Sequence, residues 1–346
     1  MKLVMSALLL IFLAGCTKVV DDFKIDKKPA KIVAQGQIQA DSLCSVNLSR
    51  SLSFFDDQVY REISNATIEL YDGNTLADNL IYQNEGWYRN SNVKTIAGHQ
   101  YILKFHAEGY PDASTAFKVP DKPAVTNISY STSEEIPEEC EGCMPEKMLN
   151  ITISIKDDVA TEDYYSVASL VYIDKDAWWG AYDSLEVLNP SDTSILLTPI
   201  GMSSTTRLIE IGHDEYGSFT QFSEDEDAYG STFIFSDKLV NGKTISLSLK
   251  INGYNLPYYW EAHRAKIFEN IILRVSKTDR NYYEYALNMA HINANGDNPL
   301  SEPVSVYRSV ENGLGVVYAE NTIEEIRNIR DIDPYFYNDA QITWKY

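Results

Sequence analysis

The sequence has no apolar run long enough to cross a bilayer as a helix, which takes about 20 residues. Its longest apolar stretch, Leu3 to Leu13, is roughly half that length and is preceded only by Met1 and Lys2. A transmembrane helix is therefore excluded in this stretch. A short apolar segment after a positive charge is typical of an export signal.

The motifs of common catalytic sites are also missing. The chain contains no GxSxG elbow, no HExxH helix, no Walker lysine loop and no dinucleotide-binding glycine pattern. Its five histidines are scattered, and no two have the spacing of a zinc-binding pair. We therefore predict that the protein is not an enzyme and has no catalytic residue, no metal ligand and no cofactor except a covalent lipid.

Positive charge is scarce as well. There are 29 Lys and Arg residues against 50 Asp and Glu residues, which gives a net charge of -21. A surface this acidic repels phosphate backbones, so we predict that nucleic acid is not a partner. It also disfavours binding through anionic lipid headgroups, which leaves acyl chains as the expected membrane contact.

The apolar stretch ends in LAGC, in which Ala14 and Gly15 stand directly before Cys16. Small residues before a cysteine form a lipobox, the site where bacterial lipoproteins are cleaved and where the cysteine receives lipid. We predict a signal peptide over residues 1–15 and a lipidated tether over 16–30, with Cys16 as the first mature residue. Stable anchoring takes at least two acyl chains, because each buried methylene contributes only about 0.8 kcal/mol.

Besides Cys16, the chain has only three cysteines. Cys140 and Cys143 form CEGC between Pro137 and Pro145, in a stretch without strand or helix periodicity. In an oxidising compartment this spacing favours a local disulfide that closes a loop. Zinc would need two further ligands, and a redox motif would need a βαβ setting that is absent. Cys44 is expected to be a small buried residue.

Short alternating segments dominate residues 31–120. Turn signals separate them, namely DG at 72–73, EG at 85–86 and AG at 97–98. Six or seven short strands at this spacing predict a β-sandwich of immunoglobulin-like or transthyretin-like type. Prolines and the CEGC loop then predict a linker over 121–147.

Residues 148–346 are expected to form a larger, β-rich domain that resembles a sandwich, with one or two short helices. Asn241-Gly242 lies between two alternating segments and predicts a type I′ hairpin. Apolar spacing from Tyr282 to Met289 predicts a helix, and TIEE at Thr322 has the form of a capping box that would start a second one. An acidic insert spans 174–230.

Aromatic residues that alternation cannot bury together are the remaining functional signal. Trp178 and Trp179 lie in the acidic insert, and Tyr258, Tyr259 and Trp260 follow a proline. Adjacent residues of a strand face opposite ways, so part of this ring surface is expected to reach solvent. Such rings stack on sugars or anchor protein partners, or they pack the two domains together.

Several segments carry a family resemblance. DYYSVASLVY, ILRVSKTDRNYYEYALNM and above all NPLSEPVSVYRSVENGLGVVYA resemble the Bacteroidota lipoprotein family catalogued as domain of unknown function 4249. The resemblance implies two β-rich domains, location in the outer membrane, and genes that often neighbour those of TonB-dependent receptors. It supplies no catalytic residues. The insert at 174–230 departs from the family pattern.

Two functional hypotheses follow. In the first, the protein is a non-enzymatic accessory lipoprotein that docks with a TonB-dependent outer-membrane receptor during substrate capture or uptake. In the second, it is a surface adhesin or glycan-binding module that acts without a transporter. Asp21 and Asp22 follow Cys16 closely and partly resemble the acidic export signal of surface lipoproteins, so we predict exposure at the cell surface.

Overall fold

The computed structural model describes residues 29–53, 59–136, 145–174, 186–189, 192–214, 217–223, 227–253, 270–295 and 305–336. These residues form mainly β-strands, together with two short helices. The mainly β fold class predicted from the sequence is therefore confirmed.

The first seven strands build the N-terminal sandwich. They are β1 (Ile32–Gln39), β2 (Leu43–Arg50), β3 (Thr67–Asp72), β4 (Thr75–Asn84), β5 (Trp87–Lys94), β6 (Gln100–His106) and β7 (Ala113–Lys118). In β6 the alternating residues Tyr101, Leu103 and Phe105 are buried, as the pattern predicts. Glu85 and Gly86 join β4 to β5 with φ angles of 48° and 80°, the geometry of a two-residue hairpin turn.

The rest of the chain adds fourteen described strands and both helices. The strands up to the long helix are β8 (Val125–Glu135), β9 (Glu146–Lys156), β10 (Tyr164–Asp174), β11 (Glu186–Asn189), β12 (Asp192–Pro199), β13 (Met202–Ser204), β14 (Ile211–His213), β15 (Phe219–Gln221), β16 (Ala228–Gly230), β17 (Thr232–Ser236), β18 (Thr244–Asn252) and β19 (Asn270–Thr278). Then come helix α1 (Arg280–Asn295), β20 (Val310–Glu311), β21 (Val317–Asn328) and helix α2 (Ile329–Ile332). The insert at 174–230 thus supplies the short strands β11 to β16.

Two sheets contain the described strands. The smaller has the order β16-β13-β18-β9-β8, and the larger, of sixteen strands, runs β15-β14-β17-β10-β19-β21-β1-β2-β5-β4-β3-β6-β7-β20 with β11 and β12 attached at β10. Apolar residues of β9 and β18 in the smaller sheet pack against those of β10, β17 and β19 in the larger one. Together they form a hydrophobic core between the two sheets, which we call the second core.

The two halves of the chain are joined by strand pairing. Strand β1 pairs in parallel with β21, so that Gly36 lies opposite Val317. The hydrophobic core of the N-terminal sandwich, which we call the first core, consists mainly of residues from β1 to β7. It also contains three fully buried residues from the end of the chain, Val310, Val317 and Ala319. Residues of the predicted C-terminal domain therefore complete the core of the predicted N-terminal one.

Part of the predicted linker is a strand. Residues 125–135 form β8 and pair with β9 along its whole length. Only Ile128, Tyr130 and Val125 of this strand pack against the second core, and even these are partly exposed. Polar residues occupy most of the other positions, so the segment lacks the alternation that marks a buried strand.

The hairpin predicted at Asn241-Gly242 is wrong. Strand β17 lies in the larger sheet and β18 in the smaller one, so the two flanking strands do not pair. Gly242 has a positive φ of 73°, but its N–H donates to the Asp157 carboxylate at 2.7 Å. The dipeptide therefore belongs to a connection between the two sheets. Its hydrogen bond to the distant Asp157 takes the place of the bonds that a hairpin would form between neighbouring strands.

The helix predicted over Tyr282 to Met289 is confirmed as α1, which buries Ala286 and Ala290. The helix predicted from Thr322 is wrong. Thr322 lies in β21 opposite Ser276 of β19, and their hydroxyl oxygens are 2.8 Å apart. Nine residues of antiparallel pairing outweigh a local capping signal. Neither helix of the described residues is long and apolar enough to cross a membrane.

Candidate functional site

The residues singled out from the sequence for anchoring, cross-linking and partner contact lie outside the described residues. These are Cys16, Cys140, Cys143, Trp178, Trp179, Tyr258, Tyr259 and Trp260. The predictions made for them stay predictions. Cys44 is described and is fully buried as a free thiol, and burial raises its pKa to about 12.

An open cleft of about 1470 Å³ lies where strands β1 and β2 approach helix α1 and the segment 306–318. We call it the aromatic cleft. Its aromatic lining consists of Tyr60, Trp87, Tyr285, Tyr307 and Tyr318. Its polar lining includes Gln35, Gln37 and Asn47, and its charged lining Arg61, Glu62, Glu85 and Arg308.

One wall of the aromatic cleft belongs to the first core. Trp87 starts β5 directly after the Glu85-Gly86 turn and is 44% exposed, while the next residue, Tyr88, is buried. The Tyr88 hydroxyl donates to the Ile63 carbonyl at 2.9 Å and so fixes the strand that carries the indole. Strand alternation therefore directs Trp87 outward into the cleft.

Tyr60 stands beside this wall and is 56% exposed. Its hydroxyl donates to Asn47 Oδ1 at 2.9 Å, and the Asn47 amide donates to the Glu85 carbonyl at 2.9 Å. Asn47 thereby connects Tyr60 to the turn that precedes Trp87. These hydrogen bonds hold the Tyr60 ring and the turn before Trp87 in place, and Tyr60 and Trp87 are the two most exposed rings of the cleft.

The opposite wall comes from helix α1 and the segment that follows it. Asn288 of the helix accepts the backbone N–H of Tyr307 at 2.6 Å, and Asn281 accepts its hydroxyl at 3.1 Å. The Tyr318 ring stacks on that of Tyr282, with centroids 4.6 Å apart. Burial raises the pKa of Tyr307 and Tyr318, so both hydroxyls keep their protons at neutral pH.

The charges of the cleft are balanced, although the whole chain carries a net charge of -21. Arg61 and Arg308 are exposed there, as are Glu62 and Glu85. Glu62 also accepts the Tyr82 hydroxyl at 3.1 Å. A lining of this kind does not select a ligand by the sign of its charge.

The cleft is larger than the roughly 300–1000 Å³ typical of small-molecule pockets. Aromatic faces bind sugar rings or the apolar side chains of a polypeptide, and amide side chains such as those of Gln35 and Gln37 pair with hydroxyls or peptide groups. The arrangement therefore suits an extended ligand, either an oligosaccharide or a segment of another protein.

Sequence patterns identify this site only in part. The alternation in GWYRN places one of Trp87 and Tyr88 outward, which is a readable signal for an exposed ring. Tyr60 lies outside the regular strands and gives no such signal. Tyr285 belongs to the apolar stripe that predicts helix α1. It packs against the small core beneath the helix and also lines the cleft, which the stripe alone does not show.

The structure defines a protein of two β-sandwich cores, with an open aromatic cleft where the first sandwich meets helix α1 and the segment 306–318. The chain belongs to the family described as Domain of unknown function (DUF4249), whose sequence model matches residues 20–325. This confirms the family resemblance seen in the sequence. A search of curated proteins found no match.

Two solved structures show a distant likeness. One is described as a membrane anchored protein from Corynebacterium diphtheriae, with 11% identity, a TM-score of 0.18, and coverage of 85% of this chain and 60% of the other. The second is the BSP domain of a biofilm associated protein, with 10% identity, a TM-score of 0.21, and coverage of 94% and 65%. This chain thus spans 60% and 65% of their lengths.

Proposed function

We propose that the protein is a non-enzymatic lipoprotein of the outer membrane that docks with a TonB-dependent receptor and assists it in substrate capture or uptake. The lipobox at Cys16 supports the anchor, and the aromatic cleft supports the docking. The observation that carries the proposal is a pair of exposed rings that line one large cleft. Tyr60 is held by its hydrogen bond to Asn47, and Trp87 follows the turn that Asn47 also binds.

Exposed aromatic rings in fixed positions are the usual anchors of protein interfaces. Ordering a flexible side chain on binding costs about 0.5–1.5 kcal/mol, and a ring held in advance avoids much of that cost. A receptor loop or terminal segment is the occupant that we assign to the cleft. The positive and negative side chains of the lining then contribute to the specificity of the cleft for its partner.

Affinity capture from membranes in mild detergent, followed by quantitative mass spectrometry, tests the docking. We expect the wild-type protein to recover one barrel receptor at near-stoichiometric amounts. Trp87→Ala and Tyr60→Ala should reduce that recovery several-fold. Leu76→Ala and Tyr335→Ala are matched controls because both residues are exposed and neither lines the cleft.

Two results would count against docking through the cleft. One is the repeated absence of a receptor from wild-type captures. The other is equal recovery with wild-type protein and with the two cleft variants, which would place the contact elsewhere, for example at Trp178 and Trp179 in the insert. Alanine variants of those two residues test that location.

Anchoring and orientation are tested separately. Labelled palmitate should be incorporated into wild-type protein and into Cys44→Ala but not into Cys16→Ser, because lipid is attached at the lipobox cysteine. Protease treatment of intact cells should degrade the folded part, since we place it at the outer surface. A fully protected protein would put it on the periplasmic side.

A second candidate function is glycan binding without a transporter, as in a surface adhesin. The observation that favours it is that the amide side chains of Gln35 and Gln37 line the same cleft as the exposed rings. A glycan array with purified protein decides it. Binding that is lost in Trp87→Ala and retained in Leu76→Ala supports this function, and no binding by wild-type protein rejects it.

A further inference from the structure

A cluster of three carboxylates lies at one end of the second core, away from the aromatic cleft. Asp157 follows β9, Asp163 precedes β10 and Asp237 follows β17. One carboxylate oxygen of each lies within 4.8 Å of the other two. Asp157 is 5% exposed and Asp237 is fully buried.

Two of these carboxylates have partners within the protein. Lys277 donates to Asp163 Oδ2 at 2.5 Å. Asp157 accepts the Tyr165 hydroxyl at 2.6 Å on one oxygen and the Gly242 N–H at 2.7 Å on the other. Their positions are therefore fixed by the surrounding strands and by the connection between the two sheets.

Asp237 has no such partner among the residues that the structure describes. Both of its carboxylate oxygens are buried and accept no hydrogen bond from the described residues. Its oxygens face Asp157 and Asp163, whose negative charges repel its own. A buried, unpaired carboxylate costs several kcal/mol unless a proton or a cation neutralises it.

We infer that Asp157, Asp163 and Asp237 bind a divalent cation, with Ca²⁺ as the ion whose chemistry fits. Three carboxylates and the one ammonium of Lys277 leave two negative charges, which a divalent ion neutralises. Oxygen ligands select hard cations, and Ca²⁺ accepts irregular sets of carboxylate and other oxygens where Mg²⁺ requires near-octahedral geometry.

The position of the cluster gives the ion a structural role. Asp237 begins the connection that leads from β17 in the larger sheet to β18 in the smaller one, and Gly242 of the same connection donates to Asp157. An ion bound at Asp237 and Asp157 links both ends of this connection. It therefore stabilises the crossing between the two layers of the second core.

Terbium luminescence of the complete mature lipoprotein in detergent, stripped with chelator, tests the site. Tb³⁺ binds where Ca²⁺ does and emits when a nearby tyrosine is excited, and the Tyr165 hydroxyl lies 2.6 Å from Asp157 Oδ1. We expect sensitised emission that saturates near one ion per chain and that added Ca²⁺ abolishes. Mg²⁺ should compete at least tenfold less well.

Asp237→Asn is the critical variant, since it keeps the shape of the side chain and removes the charge. It should lower Ca²⁺ affinity at least tenfold and abolish the rise in Tm that Ca²⁺ gives wild-type protein. In chelator, its Tm should equal or exceed that of wild type. Asp158→Asn is the matched control, because Asp158 is the exposed neighbour of Asp157 and should change neither property.

The outcomes are decisive in both directions. Wild-type protein that shows neither sensitised emission nor a Ca²⁺-dependent rise in Tm overturns the inference, whatever the variants do. Equal Ca²⁺ affinity of Asp237→Asn and wild type also overturns it. If Asp237→Asn does not fold, Asp237→Ser provides the same comparison with a smaller neutral side chain.

Discussion

Gly315 lies against the backbone of Ala34, so close that a Cβ atom on the glycine would stand 2.1 Å from the Ala34 carbonyl oxygen. Its φ angle is 94°, a conformation that other residues rarely adopt. The Ala34 N–H also donates to the Leu314 carbonyl at 2.9 Å. The turn before β21 thus fits directly onto β1 of the first core.

Gly315→Ala should destabilise the protein strongly. The positive φ alone costs a residue with a Cβ about 1–2 kcal/mol, and the overlap with Ala34 adds about 1–3 kcal/mol. Gly109→Ala is the control, since Gly109 has a φ of 87° and an added Cβ would meet nothing within 4 Å. Denaturant unfolding measures both variants. Equal losses of stability would show that the contact with Ala34 contributes nothing.

The first core should not fold without the end of the chain. A fragment of residues 29–124 lacks Val310, Val317 and Ala319, which are fully buried in that core, and leaves one side of β1 unpaired. Each lost valine removes about 1.5–3 kcal/mol of burial. We expect the fragment to show no cooperative thermal transition by circular dichroism.

Addition of a peptide of residues 305–336 should restore that transition, because it supplies β20 and β21. A peptide of the same composition in scrambled order is the control. A fragment 29–124 that unfolds cooperatively on its own would instead establish the predicted N-terminal sandwich, 31–120, as an independent domain.

Local patterns predict local structure well in this chain. The alternation in β6, the turn at Glu85-Gly86 and the stripe of α1 each depend on neighbouring residues, and the structure confirms them. The NGLG segment is less simple. Asn312 and Gly315 have positive φ angles, whereas Gly313 does not. Gly313 is needed for a different reason, because a Cβ atom there would crowd the Ile32 carbonyl oxygen. The sequence shows that glycines are needed without showing which requirement each one meets.

The candidate sites depend on pairing between strands that are distant in the sequence, and local patterns do not predict this pairing. The cleft combines Trp87 with Tyr307, and the carboxylate cluster combines Asp157 with Asp237, pairs that lie far apart in the chain. No motif of fixed spacing links such residues. Asn241-Gly242 fails as a hairpin for the same reason, because its flanking strands pair with distant partners.

Asn90 should be important for stability although it is polar. It is 2% exposed, accepts the Cys44 N–H at 2.8 Å and donates to the Val93 carbonyl at 2.6 Å, where the pairing of β2 and β5 is irregular. Asn90→Ala leaves the buried Cys44 N–H unpaired, which costs about 1–3 kcal/mol.

The exposed neighbour Asn92 offers a control for that measurement. Asn92→Ala removes only a side-chain contact with Ser91 and should change the free energy of unfolding by less than about 0.5 kcal/mol. Similar losses in the two variants would mean that the Asn90 amide does not support the irregular pairing.

Asp279 should make stability depend on pH. Its side chain is 7% exposed, and one carboxylate oxygen accepts the Tyr282 N–H at 3.2 Å as the N-cap of α1. Burial raises the pKa of this carboxyl from 3.8 to about 7. Between these two values the folded state binds a proton that the unfolded state has released, so the contribution of Asp279 to stability is highest at low pH and falls as the pH rises to about 7.

Asp279→Asn should remove this contribution. The amide oxygen still caps the helix, and the variant carries no charge to bury. Above pH 7 the variant should therefore be more stable than wild type by on the order of 2–4 kcal/mol, and below pH 4 the two should converge. Denaturant unfolding from pH 4 to 8 measures the difference, and the exposed Asp121→Asn serves as control. A constant difference between Asp279→Asn and wild type across this range would show that Asp279 does not titrate with a raised pKa.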